Sequence, residues 1–302
     1  MLQEDRWSSA RDIADELRWL VSSSADTVGG ERQPSASIAP SASILDYRIE
    51  YFVSQDGASV AAARGGRGRP LFVVPTMFNT IETSWAGYAE AFPDREVILY
   101  DRRGSGLSER DSVTPDPEPY VQDGQAVVDG FGLEDFDLLG TLLASVEASC
   151  LAAGNVDRVS KLVLRAPVIG MADWAAIPAV RAVLAALDLD WDYFADSFAQ
   201  FVVGWGNPSG PVLAQRFRAI TTRDELRAML TAFQSLDLTS HFPQILASTL
   251  VEHHPTYFFP DSYSRRIAAL IGQCRMAIYP GEQGELINDY SISRAFLDDT
   301  TT

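Results

Sequence analysis

FDLLGTLLASVEAS, residues 136–149, is an apolar run that passes through a glycine-marked turn directly into a helical pattern. A strand that feeds a helix in this way is half of a β-α-β unit, and it sets the expectation for the rest of the chain. Comparable apolar, β-branched runs recur at YRIEYFV (47–53), SVAAAR (59–64), LFVVP (71–75), EVILY (96–100), KLVLRAP (161–167), TLVEH (249–253) and CRMAIY (274–279). From residue 71 onward they are separated by helical patterns at about 84–92, 119–131, 143–154, 262–272 and 289–298. Continuous rather than alternating hydrophobicity, in strands spaced by helices, predicts an α/β fold with a mostly parallel sheet covered on both faces. The first two strands form an antiparallel hairpin at its edge. Residues 170–240 break the rhythm, because VRAVLAALDLDWDYFADSFAQFVVGW (180–205) and RDELRAMLTAFQSL (223–236) are helical in pattern. A helical insertion between two strands of an open sheet lies over their carboxyl ends, where such folds bind ligands, so it reads as a lid.

The chain has 302 residues, enough for one large core with an insertion. The expected organisation is an amphipathic helix at 1–21, a flexible linker at 22–44, a core made of 45–169 and 241–302, and the lid at 170–240. Trp7, Ile13, Leu17 and Leu20 give the first segment its apolar face, which docks on the main body or on a second subunit, so a homodimer stays open. The linker is rich in Ser, Ala, Gly and Pro and too poor in large apolar residues to pack. With 41 acidic against 24 basic residues the formal charge is −17, which repels nucleic acid and anionic membrane surfaces and leaves small molecules or proteins as partners. Two cysteines far apart in sequence, Cys150 and Cys274, read as apolar thiols rather than a disulfide framework. No secretory signal and no membrane-length apolar stretch is present in the sequence, and a cytoplasmic location is expected.

DRRGSGLS (101–108) follows a strand and matches the D-x-R-G-x-G-x-S loop of the α/β-hydrolase fold. Over residues 45–298 the chain resembles that family, which implies an eight-stranded sheet with a helical cap. In the family, the turn after the fifth strand is the nucleophile elbow G-x-S-x-G, a strained turn that lifts a serine to the top of the sheet. Here those five positions are Gly140, Thr141, Leu142, Leu143 and Ala144, so Leu142 stands where the nucleophile would be. The family's catalytic histidine follows the last strand; the matching loop is YPGEQGE (279–285), with Gly284 at the histidine position. The acid belongs after the seventh strand, where Pro255, Thr256 and Tyr257 stand between Glu252 and Asp261. The family's His-Gly pair after the third strand is Pro75-Thr76. The resemblance therefore implies a pseudo-hydrolase with its catalytic triad missing, unable to run acyl-enzyme hydrolysis.

The polar groups left for chemistry are His253, His254 and Glu282, the candidate proton carriers, set against bland readings as a hydrogen-bonded histidine pair and a solvated loop glutamate. Thr76, Met77, Phe78, Leu142, Leu143, Trp174 and Tyr257 are the candidate substrate-binding residues, giving an apolar floor for a bulky apolar metabolite. The aromatics Trp174, Trp191, Tyr193, Phe194, Phe198, Phe201 and Trp205 crowd the lid; most are expected to be its own core, while several facing down would make a wide apolar, aromatic chamber. For DRRGSGLS the expected role is structural, with Gly104 and Gly106 in unusual backbone angles. No GxGxxG follows a strand, no P-loop exists and no metal-ligand spacing occurs, so no cofactor is expected. The expectation is a non-hydrolytic enzyme that promotes proton transfer, cyclisation, elimination, epimerisation or C–C bond formation; triad-less relatives of this fold imply natural-product tailoring. The alternative is a non-catalytic binding or regulatory protein.

Overall fold

The computed structural model describes residues 47–170, 175–234, 236–254, 260–279 and 289–299. The expected N-terminal helix and linker lie outside the described residues, as do Trp174, Tyr257, Glu282 and Gly284.

Strands β1 (Tyr47–Val53) and β2 (Ser59–Gly66) form the antiparallel hairpin, closed at Gly57, whose φ of 94° requires a residue without a side chain. Then come β3 (Arg69–Val73), α1 (Ile81–Ala91), β4 (Arg95–Tyr100), α2 (Glu118–Gly130), β5 (Phe136–Thr141), α3 (Ala144–Gly154) and β6 (Val159–Arg165). Among the described residues four helices come next: α4 (Pro178–Leu189), α5 (Trp191–Val203), α6 (Gly210–Ile220) and α7 (Arg223–Gln234). The chain returns to the sheet in β7 (Ser248–His253), α8 (Asp261–Leu270), β8 (Cys274–Ile278) and α9 (Ser291–Asp298). The sheet has eight strands in the order β1-β2-β4-β3-β5-β6-β7-β8. Only the β1–β2 and β2–β4 pairs are antiparallel. Among the described residues no helix is long and apolar enough to cross a membrane.

Strand alternation splits the core in two. Phe72, Ile98, Leu138 and Leu164 face α2 and α3, packing on Val127, Val128, Ala148 and Leu151. Leu71, Val73, Leu99, Leu139 and Val163 face the other way, onto Ile81, Trp85 and Tyr88 of α1 and Phe296 and Leu297 of α9. Each fully buried side chain of this kind contributes about 1.5–3 kcal/mol relative to exposure, which is why these strands read as unbroken apolar runs.

Two boundaries differ from the sequence expectation. Helix α1 begins at Ile81 rather than near residue 84, because Thr80 and Thr83 form a reciprocal cap: each side chain bonds the other's backbone N–H. That pair lacks the Glu or Gln that marks the usual capping box, so it does not stand out in sequence. Strand β3 ends at Val73, and Val74 keeps one bond to the sheet, donating to the Leu139 carbonyl at 2.9 Å, before the chain turns off at Pro75.

Candidate functional site

The carboxyl ends of β3 and β5 lie side by side, and the loops leading out of these two strands build the site. After β5 the chain makes a sharp turn in which Leu142 has φ of 55°, a left-handed conformation that costs an ordinary L-residue roughly 1–2 kcal/mol. Leu142 N–H donates to the Arg165 carbonyl at 2.9 Å, and the Leu142 carbonyl accepts from Ser145 N–H at 3.0 Å as α3 begins. Gly140 makes the tight approach possible: a Cβ there would lie 2.6 Å from the Ala148 Cβ and 2.8 Å from the Ala144 carbonyl oxygen.

After β3, the Thr76 hydroxyl donates to Asn79 Oδ1 at 2.6 Å and accepts from Phe78 N–H at 3.2 Å, folding the loop back on itself. Phe78 then enters an aromatic stack from the helical insertion, with ring centroids 5.5 Å from Phe198 and 5.1 Å from Phe217. Trp191 and Phe194 extend the stack.

Between these loops, α1 and the insertion lies a cleft of about 520 Å³. Its apolar surface comes from Phe78, Leu142, Val202 and Leu213, and its polar surface from Thr76, Asn79, Thr83, Ser84, Tyr88, Thr141 and Tyr290, with Glu90 and Arg216 as the charged lining. Burial holds the Tyr88 phenol well above its ordinary pKa, so at neutral pH it is a donor and not a phenolate. A second, much smaller apolar cavity lies behind Leu142, bounded by Met77, Leu143, Val168 and Phe198.

The DRRGSGLS loop is a brace for this assembly. Asp101 Oδ1 accepts from Ile81 N–H at 2.6 Å, at the start of α1, and Oδ2 accepts from Leu107 N–H at 2.7 Å. Burial raises the Asp101 pKa, and these two backbone bonds oppose the shift. Arg103 grips Asp123 with two bonds of 2.8 and 2.6 Å. Arg102 is bound through two nitrogens to buried Glu147 of α3 and donates to the Pro75 carbonyl at 2.8 Å, tying the loop after β3 to the helix after β5. Gly104 and Gly106 have φ of 77° and 54°. A Cβ on Gly106 would sit 2.1 Å from Asp101 Oδ2. Gly106→Ala should therefore lower stability by about 2–4 kcal/mol, the sum of backbone strain and overpacking. Gly132→Ala, at φ of 62° with nothing within 4 Å, should carry only the strain of about 1–2 kcal/mol. Urea midpoints of the two variants measure the difference; equal values would mean that Asp101 moves aside freely.

Comparison with solved structures adds the fold. The chain superposes on a bromoperoxidase from Bacillus anthracis with a TM-score of 0.71 at 17% identity, covering 83% of this chain and 100% of that one. It matches the esterase RhEst1 from Rhodococcus sp. ECU1013 with a TM-score of 0.71 at 19% identity, covering 83% and 98%. An enol-lactonase from Burkholderia xenovorans LB400 gives 0.63 at 18% identity, covering 82% and 96%. The chain has the α/β-hydrolase fold. No family model matches it.

The sequence-predicted residues can be placed around the turn at Leu142, between β5 and α3. Thr76, Phe78 and Leu142 line the cleft; Met77 and Leu143 line the small cavity instead. His253 and His254 are both buried, and neither is among the described residues lining the cleft. His253 Nδ1 lies 3.1 Å from Ser264 Oγ of α8, and burial lowers its pKa, which keeps the ring neutral at pH 7. The His254 ring packs on Tyr279 at 5.4 Å. Ser145, three residues past the apex, is buried, and its hydroxyl accepts from Val168 N–H at 3.2 Å. Glu252 is spoken for as well, held by Arg165 at 3.0 Å and Ser293 at 2.5 Å.

The expected aromatic chamber takes a different form. Phe194, Phe198 and Phe217 stack on one another, while Tyr193 and Trp205 are 64% and 71% exposed on the outside. The cleft is consequently more polar than the sequence predicts, because α1 supplies Thr83, Ser84 and Tyr88, and Tyr290 closes the far side. Sequence reasoning missed α1 as a wall, and it missed Glu147, Arg165 and Arg216 altogether. For the first two the signal was present: a lone charge inside an apolar strand or helix needs a buried partner.

Proposed function

We propose that this chain is a non-hydrolytic enzyme on the α/β-hydrolase fold, enclosing a small metabolite in the cleft above Leu142 and promoting its rearrangement without an acyl-enzyme. The observation that carries this reading is Leu142 itself. The strained turn persists at φ of 55° with a side chain that has no lone pair to attack with, and that side chain forms part of the cleft surface. A turn kept at a cost in strain, but without a nucleophile, is explained if its purpose is to present surface to a ligand.

The chemistry this arrangement supports is orientation and hydrogen-bond donation. Phe78, Leu142, Val202 and Leu213 hold an apolar body and exclude water from one side of it. Thr141, Tyr88 and Tyr290 supply hydroxyls that can polarise a carbonyl or hold a developing oxyanion. Proton transfer, cyclisation, elimination, epimerisation and C–C bond formation all fit such a site, and tailoring of a natural product is the setting we favour. A second reading, a binding protein that releases its ligand unchanged, draws support from one observation: the described lining holds no histidine or cysteine, and its one carboxylate, Glu90, is exposed.

Two measurements test the proposal. Leu142→Ser should leave hydrolysis of short aryl esters at the buffer rate, because a serine without a base gains little nucleophilicity; ester turnover by this variant would show that a working base faces the turn and would end the non-hydrolytic reading. Incubation of the purified protein with small metabolites from its source cells, followed by mass spectrometry, should show one compound converted to an isomer, a dehydrated form or a coupled product. Recovery of a retained compound unchanged decides for the binding protein.

A further inference from the structure

Resting on the cleft reading above, we propose that the ligand is a small carboxylic acid with an apolar body, and that Arg216 holds its carboxylate. Arg216 is the only basic side chain among the described residues lining the cleft, and it is half-buried on α6. Among the described residues it makes no ion pair. Two residues along the same helix, Arg218 pairs with Asp196 at 2.9 Å, and on α7 Arg227 pairs with Asp188 at 2.5 Å. In a chain with 41 carboxylates for 24 cations, acids are in ample supply for Arg216 as well, yet the described structure gives it none. A guanidinium is a planar fork matched to carboxylate geometry, and partial burial strengthens the contact it would make.

The rest of the cleft agrees with an amphipathic acid. Phe78, Leu142, Val202 and Leu213 give the apolar body its surface. Thr141, beside the strained turn, is 7% exposed, and its hydroxyl has no hydrogen-bond partner among the described residues. A ligand oxygen within reach of that hydroxyl would relieve the cost of leaving it unpaired. Glu90 opposes an anion from the rim, but it is exposed, so water and salt screen it more than they screen half-buried Arg216. The overall charge of −17 adds weight to Arg216: an anion that settles on this protein needs a cation placed for it.

The test uses two probes of equal size, 4-phenylbutyrate and 4-phenylbutyramide, titrated calorimetrically into the full-length protein at pH 7.5. The acid should bind roughly 10–100-fold more tightly than the amide, the worth of one charge-assisted pair. Arg216→Gln should weaken the acid by that factor and leave the amide unchanged, while Arg216→Lys keeps part of the preference. Equal affinity for acid and amide, no binding of either, or indifference of the acid to Arg216→Gln overturns the proposal. Leu142→Trp, which adds bulk to the cleft wall at the turn, separates this from the broader reading. If it removes binding while Arg216→Gln does nothing, the cleft stands and the anion site falls. If it leaves binding intact, the ligand sits elsewhere and both fall.

Discussion

Replacing Arg102 by methionine should lower the unfolding free energy by about 3–5 kcal/mol at pH 8, the loss expected when one partner of a buried ion pair is removed. Methionine keeps most of the stem, so the change isolates the charge. Glu147 has no exposed side-chain surface and Arg102 has 5%, so no water replaces the lost partner. The guanidinium also holds the Pro75 carbonyl and lies 3.8 Å from the Met229 sulfur, so three elements around the cleft lose a common anchor. The effect should shrink on acidification. Burial pushes the Glu147 carboxyl up to about 7 from an ordinary 4.5, outweighing the pull of Arg102. Between those two values the folded protein holds a proton that the unfolded chain has released, so rising pH favours unfolding. This one group should cost the wild type roughly 3 kcal/mol across pH 4.5–7, present in full stability below that window and lost above it. Lowered carboxylates such as Asp56 and Asp135 slope the other way, so the quantity to read is the difference between wild type and Glu147→Gln. Urea unfolding at several pH values gives it, and parallel profiles for the two proteins would rule out Glu147 as the source.

How much of the fold and the cleft was open to sequence depends on the distance over which each feature is determined. The β5 turn was legible because everything that forms it is local: an apolar strand, Gly140 where a Cβ has no room, and a helix beginning at Ala144. DRRGSGLS was legible for the same reason, since Asp101 closes on Leu107 within its own loop. The surroundings of the histidines are not legible in sequence, because alternation along a strand does not say which helix covers each face. In the fold, His253 and Glu252 point to opposite faces of β7, one to Ser264 of α8 and the other to Ser293 of α9, and both are covered. The polar wall of the cleft was illegible because it needs α1 to lie beside the β5 turn and Tyr290 to reach across from the start of α9. Nothing in the spacing of Thr83, Ser84 and Tyr88 announces that arrangement, since as helix residues they read equally well as a solvated face. The insertion's aromatics are legible as its own core, since Phe198 and Phe217 pack on Phe78 and on each other; that this leaves the open surface to smaller residues is not written in their spacing.

Arg165→Met should cost about 3–5 kcal/mol on its own account, and it bears on function as well as stability. Arg165 and Glu252 are 0% and 1% exposed, so the substitution strands a carboxylate whose remaining side-chain partner among the described residues is Ser293. Arg165→Met/Glu252→Leu should recover most of the loss, because two apolar side chains replace a pair whose desolvation was expensive to begin with. Thermal melts of the single and double variants decide this; a double variant no more stable than Arg165→Met would mean that packing, not the unpaired charge, dominates. Binding of 4-phenylbutyrate should not recover in parallel. The Arg165 guanidinium lies 4.1 Å over the Tyr290 ring and donates to the Asp289 carbonyl, and Tyr290 in turn packs on Tyr88 at 5.5 Å. Both tyrosines line the cleft, so the cation beneath them fixes the wall that a ligand would meet. A double variant that melts like the wild type but binds 4-phenylbutyrate more weakly would separate the two roles of Arg165, keeping two strands together and keeping the cleft in shape.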